Sequence, residues 1–338
     1  MRKSLAVISL GILFFSCAPQ KVSTTPQPKP TMAKTPTPKP AAAPNKSKIQ
    51  HERNAEFFRD NIADASKNDN TASYGSIVSA RPQGFNVVKT FFPAVAQNFR
   101  QKYIILHYTA LDEEKSVRVL TQQSVSAHYL VNDSDDKEIY QLVDENKRAY
   151  HAGISGWRSD KMLNDTSIGI EIVNTGYVTD AAGSKIFPEF PENQVRKVAA
   201  LVKDLSERYM IPPTNILGHS DVAPTRKQDP GPMFPWKMLY EEYGIGMWYD
   251  EDAKQAFYDV AILEDYALQM TVPSFIFKVQ SALRDFGYDI NPSGEYDNAT
   301  AKTVEAFQYH FRPQEYSGKL DAETWAILQA LNQKYPRK

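Results

Sequence analysis

His107, His219 and Asp229 can each offer one lone pair to a metal ion. His107 lies near the end of KYIILHYT (102–109), an apolar, β-branched run that reads as a buried strand. His219 and Asp229 stand near the two ends of GHSDVAPTRKQDPGP (218–232), a loop stiffened by Pro224, Pro230 and Pro232. A loop narrowed in this way loses less entropy when both its ends must hold one ion. Two imidazoles and a carboxylate suit a catalytic zinc whose fourth position stays open to water. Spacing alone leaves a second reading open. A lone strand histidine is more often a satisfied core residue, and His-x9-Asp is not a zinc signature by itself. Glu171 raises a similar question, because it interrupts the apolar run SIGIEIVN (167–174). A carboxylate there is either functional or the partner of a buried cation.

The elements that must position these groups can be read from periodicity. KYIILHYT and SIGIEIVN read as central strands, and NILGH as a short strand leading into the stiff loop. AHYLVN and EIYQLVD read as a hairpin pair across DSDDK, and EEKSVRVLTQQ as a helix. PENQVRKVAALVKDLSERYM (191–210) has apolar residues at helical spacing and stops before IPPTN. A further helix is expected at HERNAEFFRDNIADAS. The sum is an α/β fold, a mixed central β-sheet flanked by helices. Residues 255–335 read as a small C-terminal three-helix domain, with Asp297 and Asp321 as N-caps or first-turn acids.

Composition limits the partners. The 338 residues carry a formal net charge of −1, which gives no electrostatic case for nucleic acid. MRKSLAVISLGILFFSC has a positive start, a short apolar run and a small residue before Cys17, the pattern of a secretory signal. Cys17 is the only cysteine. Its place resembles that of the acylated cysteine of bacterial lipoproteins, which makes it the expected lipidation site. A mature chain of this kind has no other thiol, so its metal sites use nitrogen and oxygen ligands only. Residues 18–48 are rich in Pro, Thr and Lys, have no acidic or aromatic residue, and read as an extended tether.

ILHYTA, VSAHYLV, HAGISGW, LNDTSIGIEIVN and GHSDVAPTRKQDPGPMFPW occur in that order. The series resembles the zinc N-acetylmuramoyl-L-alanine amidases of the AmpD type, the amidase 2 family. The resemblance implies one Zn2+ held by His107, His219 and Asp229. It implies Glu171 as the general base acting on the attacking water, and Lys227 as the cation that stabilises the oxyanion. The reaction would be hydrolysis of the amide between N-acetylmuramic acid and L-alanine of peptidoglycan or its fragments. Relatives often have Cys as third ligand and Tyr just before the histidine of AHYL. Here Asp229 and Ala127 stand there, as in the Asp-ligand, Glu-base branch. A recognition protein that does not cleave, and a zinc peptidase acting within the stem peptide, are the alternatives.

Other residues of the motifs carry expectations with two sides. His151, Trp157 and Asn164 are candidates for substrate contact, with ligand orientation, packing and capping as the other readings. His128 is expected to be structural or to orient a ligand. Asp221 reads as a loop cap paired with Arg226, and His310 as structural. VQSALRDFGYDI, TVEAFQYHF and GKLDAETWAIL resemble a peptidoglycan-binding domain. The expected division is a signal at 1–17, a linker at 18–48, an amidase domain at 49–250 with its motif core at about 100–240, and the helical domain at 255–335. The expected setting is the bacterial envelope. There the chain would be a monomer, lipid-anchored at Cys17 and facing the periplasm from the outer membrane.

Overall fold

Tyr103, Ile104, Ile105 and Leu106 bury their side chains on both faces, as a strand between two helical layers requires. They belong to β1 (Tyr103–Tyr108) in a computed structural model that describes residues 83–85, 98–263 and 271–337. The expected signal, Cys17, the tether and the helix over 51–66 lie outside the described residues. Among the described residues no helix is long and apolar enough to cross a membrane.

After β1 come α1 (Glu113–Gln122), β2 (Tyr129–Val131) and β3 (Tyr140–Gln141). Two small hairpins follow. One is β4 (Gly156–Trp157) with β5 (Asp160–Lys161), and the other is β7 (Val178–Thr179) with β8 (Lys185–Ile186). Between the hairpins runs β6 (Ser167–Ile172), and after them the long α2 (Glu192–Tyr209) and β9 (Ile216–Gly218). The main sheet has the order β3-β2-β6-β1-β9. β2, β6, β1 and β9 are parallel, and β3 joins β2 antiparallel, as the hairpin reading required. α2 turns Val195, Val198, Ala199, Val202 and Leu205 into the core, the stripe its periodicity predicts.

Register sets the chemistry. His107 is the partner of Glu171 on the neighbouring strand, so the two side chains leave the same face of the sheet. Leu106 pairs with Gly218, which brings His219 to the same end. All three residues thus gather where the parallel strands end, the usual place for a site in such sheets.

Beyond β9 come the short α3 (His219–Val222), α4 (Trp236–Tyr243) and α5 (Glu251–Leu263). The expected three helices are α6 (Pro273–Phe286), α7 (Asn298–Phe311) and α8 (Ala322–Lys334). Asp297 and Asp321 are indeed N-caps, accepting from the backbone N–H of Thr300 and Thr324. α5 packs along α8, so a fourth helix accompanies the three expected.

Trp157 joins the helical part to the sheet. Of substrate contact and packing, the two readings of Trp157, its 0% exposure supports packing. Its indole packs edge-on against Phe286 and Tyr288 at ring separations of 5.8 and 5.1 Å, and its Nε1–H donates to the Thr214 carbonyl at 3.1 Å. A Cβ at Gly287 would stand 2.5 Å from the indole, so only glycine allows this approach. The backbone continues the join, with Arg158 N–H donating to the Gly287 carbonyl at 2.6 Å. One hydrophobic core therefore runs from the sheet into the helices. Trp157→Ala is expected to destabilise the protein by about 3–5 kcal/mol, read from urea denaturation. A loss under 1 kcal/mol would contradict this packing.

Candidate active site

The site is built from strand ends and a braced loop. Ser220 N–H donates to the Asp229 carbonyl at 2.8 Å, which ties the two ends of the stiff segment together. His107 Nδ1 lies 2.9 Å from His219 Nδ1 and 2.9 Å from Asp229 Oδ2. His219 Nδ1 lies 3.0 Å from the same oxygen. All three residues are buried.

The surrounding hydrogen bonds fix where the protons are. Ser167 Oγ–H donates to the Leu163 carbonyl at 2.5 Å, which uses its only proton. His151 Nε2, 3.1 Å from Ser167 Oγ, must then donate to it. His151 Nδ1 is therefore bare and accepts from His107 Nε2–H at 3.0 Å. His219 Nε2–H donates to the Ala152 carbonyl at 3.1 Å. In their neutral form, both candidate ligand imidazoles are thus left with a bare Nδ1. Two lone pairs and a carboxylate oxygen converge with no proton between them. Such a cluster repels itself unless a cation sits within it, so these residues fit a metal ion.

The electrostatics agree. Burial and the neighbouring His219 lower the His107 pKa to about 4, so its ring is neutral. Glu171 goes the other way. Burial, then the charge of Asp229, push its pKa well above the usual value, while Lys227 opposes them. Glu171 Oε2 has no hydrogen-bond partner among the described residues. Glu171 and Lys227 line the same cleft of about 430 Å³ as the three ligand candidates, with Tyr150 and Tyr177 at its walls.

The HAGISGW segment supports the candidate ligands from behind. Asn164 Oδ1 accepts from the backbone N–H groups of His151 and Ala152, at 3.2 and 2.8 Å. It is buried and does not line the cleft, and its carbonyl serves the backbone, in line with the capping reading. Trp157 is likewise absent from the cleft. His151 does line it, yet both its ring nitrogens face protein groups, and its hydrogen bond orients His107. His128 accepts from Gly169 N–H and donates to the Lys147 carbonyl, both at 3.0 Å, and its ring packs edge-on near His151. Arg226 does not pair with Asp221. It donates to the carbonyls of Ala152 and Ile154 at 2.7 and 2.8 Å, clamping that segment to the stiff loop. Neither Ser167 nor the Ala152 carbonyl was foreseen, because nothing in the local sequence marks a serine or a backbone oxygen as a partner of a distant imidazole.

The comparisons with known proteins point the same way. Residues 97–232 match the family described as N-acetylmuramoyl-L-alanine amidase, and residues 274–328 match a peptidoglycan binding domain. The chain is 42% identical over 241 residues to the N-acetylmuramoyl-L-alanine amidase AmiD of Escherichia coli (strain K12), covering 70% of this chain and 84% of that one. This chain belongs to the N-acetylmuramoyl-L-alanine amidase family. It is an amidase of that class, and its sheet and helical domain follow the same architecture. The structure of E. coli AmiD in complex with the substrate anhydro-N-acetylmuramic acid-L-Ala-D-gamma-Glu-L-Lys is similar, with a TM-score of 0.66 and 38% identity. That match covers 76% of this chain and 98% of that one. AmpDH3 from Pseudomonas aeruginosa in complex with anhydromuramic pentapeptide is also similar, with a TM-score of 0.65 and 40% identity, covering 75% and 99%.

The proton chain makes a prediction. His151→Ala removes the acceptor that fixes the His107 tautomer, and Gly169→Ala places a methyl group against the His151 ring. Each is expected to weaken metal binding roughly 10- to 100-fold in chelator competition. Unchanged affinity in both would contradict the assigned proton positions.

Proposed function

We propose that the chain hydrolyses the amide between the lactyl carbonyl of N-acetylmuramic acid and L-alanine, using one Zn2+ held by His107, His219 and Asp229. The observation that carries this reading is the convergence of three unprotonated donors at 2.9–3.0 Å beside an unpartnered carboxylate oxygen. Bound zinc supplies a Lewis acid that makes water nucleophilic near neutral pH. Glu171 takes a proton from the attacking water as its oxygen adds to the carbonyl carbon. Lys227 offsets the negative charge that builds on the carbonyl oxygen. The C–N bond then breaks, and Glu171 returns the proton to the departing alanine nitrogen. His151 holds the His107 ring, and the Ala152 carbonyl holds the His219 ring, so neither imidazole reorients during the reaction.

The substrates named in the complexes of E. coli AmiD and of AmpDH3 support anhydromuropeptides as the substrate class. A peptidoglycan substrate sets the enzyme in the cell envelope. We assign residues 1–17 as a lipoprotein signal acylated at Cys17, 18–48 as the tether, and the remainder as a monomeric two-part enzyme facing the periplasm from the outer membrane.

Purified protein incubated with anhydromuropeptides is expected to release free stem peptide beginning at L-alanine, as read by mass spectrometry. A chelator abolishes the reaction and zinc restores it. Glu171→Gln is expected to lower kcat roughly 100- to 10,000-fold while zinc stays bound. Lys227→Ala is expected to lower it roughly 100- to 1,000-fold. Intact muropeptide after long incubation with zinc-loaded protein would leave a recognition protein, and shortened stems would mean a peptidase.

A further inference from the structure

Asp221 is buried two residues from His219, at 1% exposure, and no lysine or arginine pairs with it among the described residues. Its carboxylate instead collects three hydrogen bonds. Gly218 N–H donates to Oδ2 at 2.8 Å, from the residue immediately before the ligand candidate His219. The other two come from the helical part. His310 Nδ1–H donates to Oδ2 at 2.8 Å, and Tyr288 Oη–H donates to Oδ1 at 2.7 Å. These donors are 89 and 67 residues away in sequence.

Each donor is itself held rigidly. The His310 ring stacks between Trp236 and Phe311, with centroids 3.9 Å away on each side. Among the described residues its Nε2 has no partner, and its polar contact is with Asp221. Tyr288 is buried against Trp157 and Phe286. The turn they brace has no slack. A Cβ at Gly218 would stand 2.7 Å from Pro230 Cδ, so the residue before His219 packs directly on the residue after Asp229. Asp221 thus links the helical part to both arms of the loop that carries two of the three ligand candidates.

We propose that Tyr288 and His310 are positioning residues of the active site, fixing the His219–Asp229 loop through Asp221. On this reading, which rests on the zinc site proposed above, the helical part does more than bind the wall polymer. It supplies part of the rigidity that brings His219 and Asp229 to one ion. A carboxylate in an apolar setting holds such donors strongly, and losing one leaves the turn freer to move.

The test uses the full-length protein and zinc itself. Tyr288→Phe and His310→Leu are each expected to weaken zinc affinity about tenfold, read by competition with a chromophoric chelator. They are expected to lower kcat with KM unchanged and to shift the visible absorption of the cobalt-loaded protein. His310→Asn, whose amide N–H can stand at the place of Nδ1–H, should restore zinc affinity and kcat. In a background of Asp221→Ala, His310→Leu should add no further loss of zinc affinity. Variants that melt at lower temperature but keep wild-type zinc affinity and cobalt spectrum would reduce the cluster to domain packing and overturn the proposal. Zinc binding by the unsubstituted protein is measured first, and its absence would instead sink the zinc site itself.

Discussion

Three atoms able to bind a metal are held within 3.0 Å of one another, two imidazole nitrogens and a carboxylate oxygen placed for one ion. With both rings neutral, His107 Nδ1, His219 Nδ1 and Asp229 Oδ2 are all acceptors, because each ring's one proton is committed to His151 or to the Ala152 carbonyl. The protein keeps these groups together against their mutual repulsion, and much of the molecule can be understood as the means of doing so. Parallel pairing of β1 with β6 and β9 sets the strand ends side by side. The Ser220–Asp229 backbone bond and the packing of Gly218 on Pro230 close the loop.

A second tier of polar contacts keeps this arrangement from relaxing. Ser167 and His151 form a relay that ends on the Leu163 carbonyl. Asn164 and Arg226 hold the Ala152 segment from opposite sides, so that its carbonyl points at His219. Glu171 is left as the exception, half-buried beside an anionic ligand candidate with one oxygen unpartnered. Burial of a carboxylate without a partner is costly, and such costs persist mainly where chemistry uses them. Burial and the neighbouring Asp229 push the Glu171 carboxyl up, which suits a group that must take and return a proton.

Much of this was legible in the sequence because it is local. The strands holding His107 and Glu171 announce themselves by apolar, β-branched runs, and α2 by its period. The caps Asp297 and Asp321 stand three residues before the amides they accept from. What could not be read is long-range. Trp157 looks like a cleft aromatic in HAGISGW, yet its burial depends on Phe286 and Tyr288 more than a hundred residues on. Asn164 has its acceptor pointed at backbone, which a polar side chain in a motif does not reveal. Arg226 and Asp221 are five residues apart and opposite in charge, but each has partners elsewhere in the fold. His310 reads as an ordinary helix residue until the fold brings it to Asp221.

The central claim is that two imidazoles in fixed tautomers and one carboxylate hold a single zinc ion. X-ray absorption at the zinc edge, on the zinc-loaded full-length protein, tests it most directly. The account predicts one zinc per chain, a first shell of nitrogen and oxygen only, and scattering from two imidazoles, with one imidazole lost in His107→Ala. A third imidazole in the shell would mean that His151 binds the ion rather than orienting His107. An unchanged spectrum in His107→Ala would contradict the site altogether.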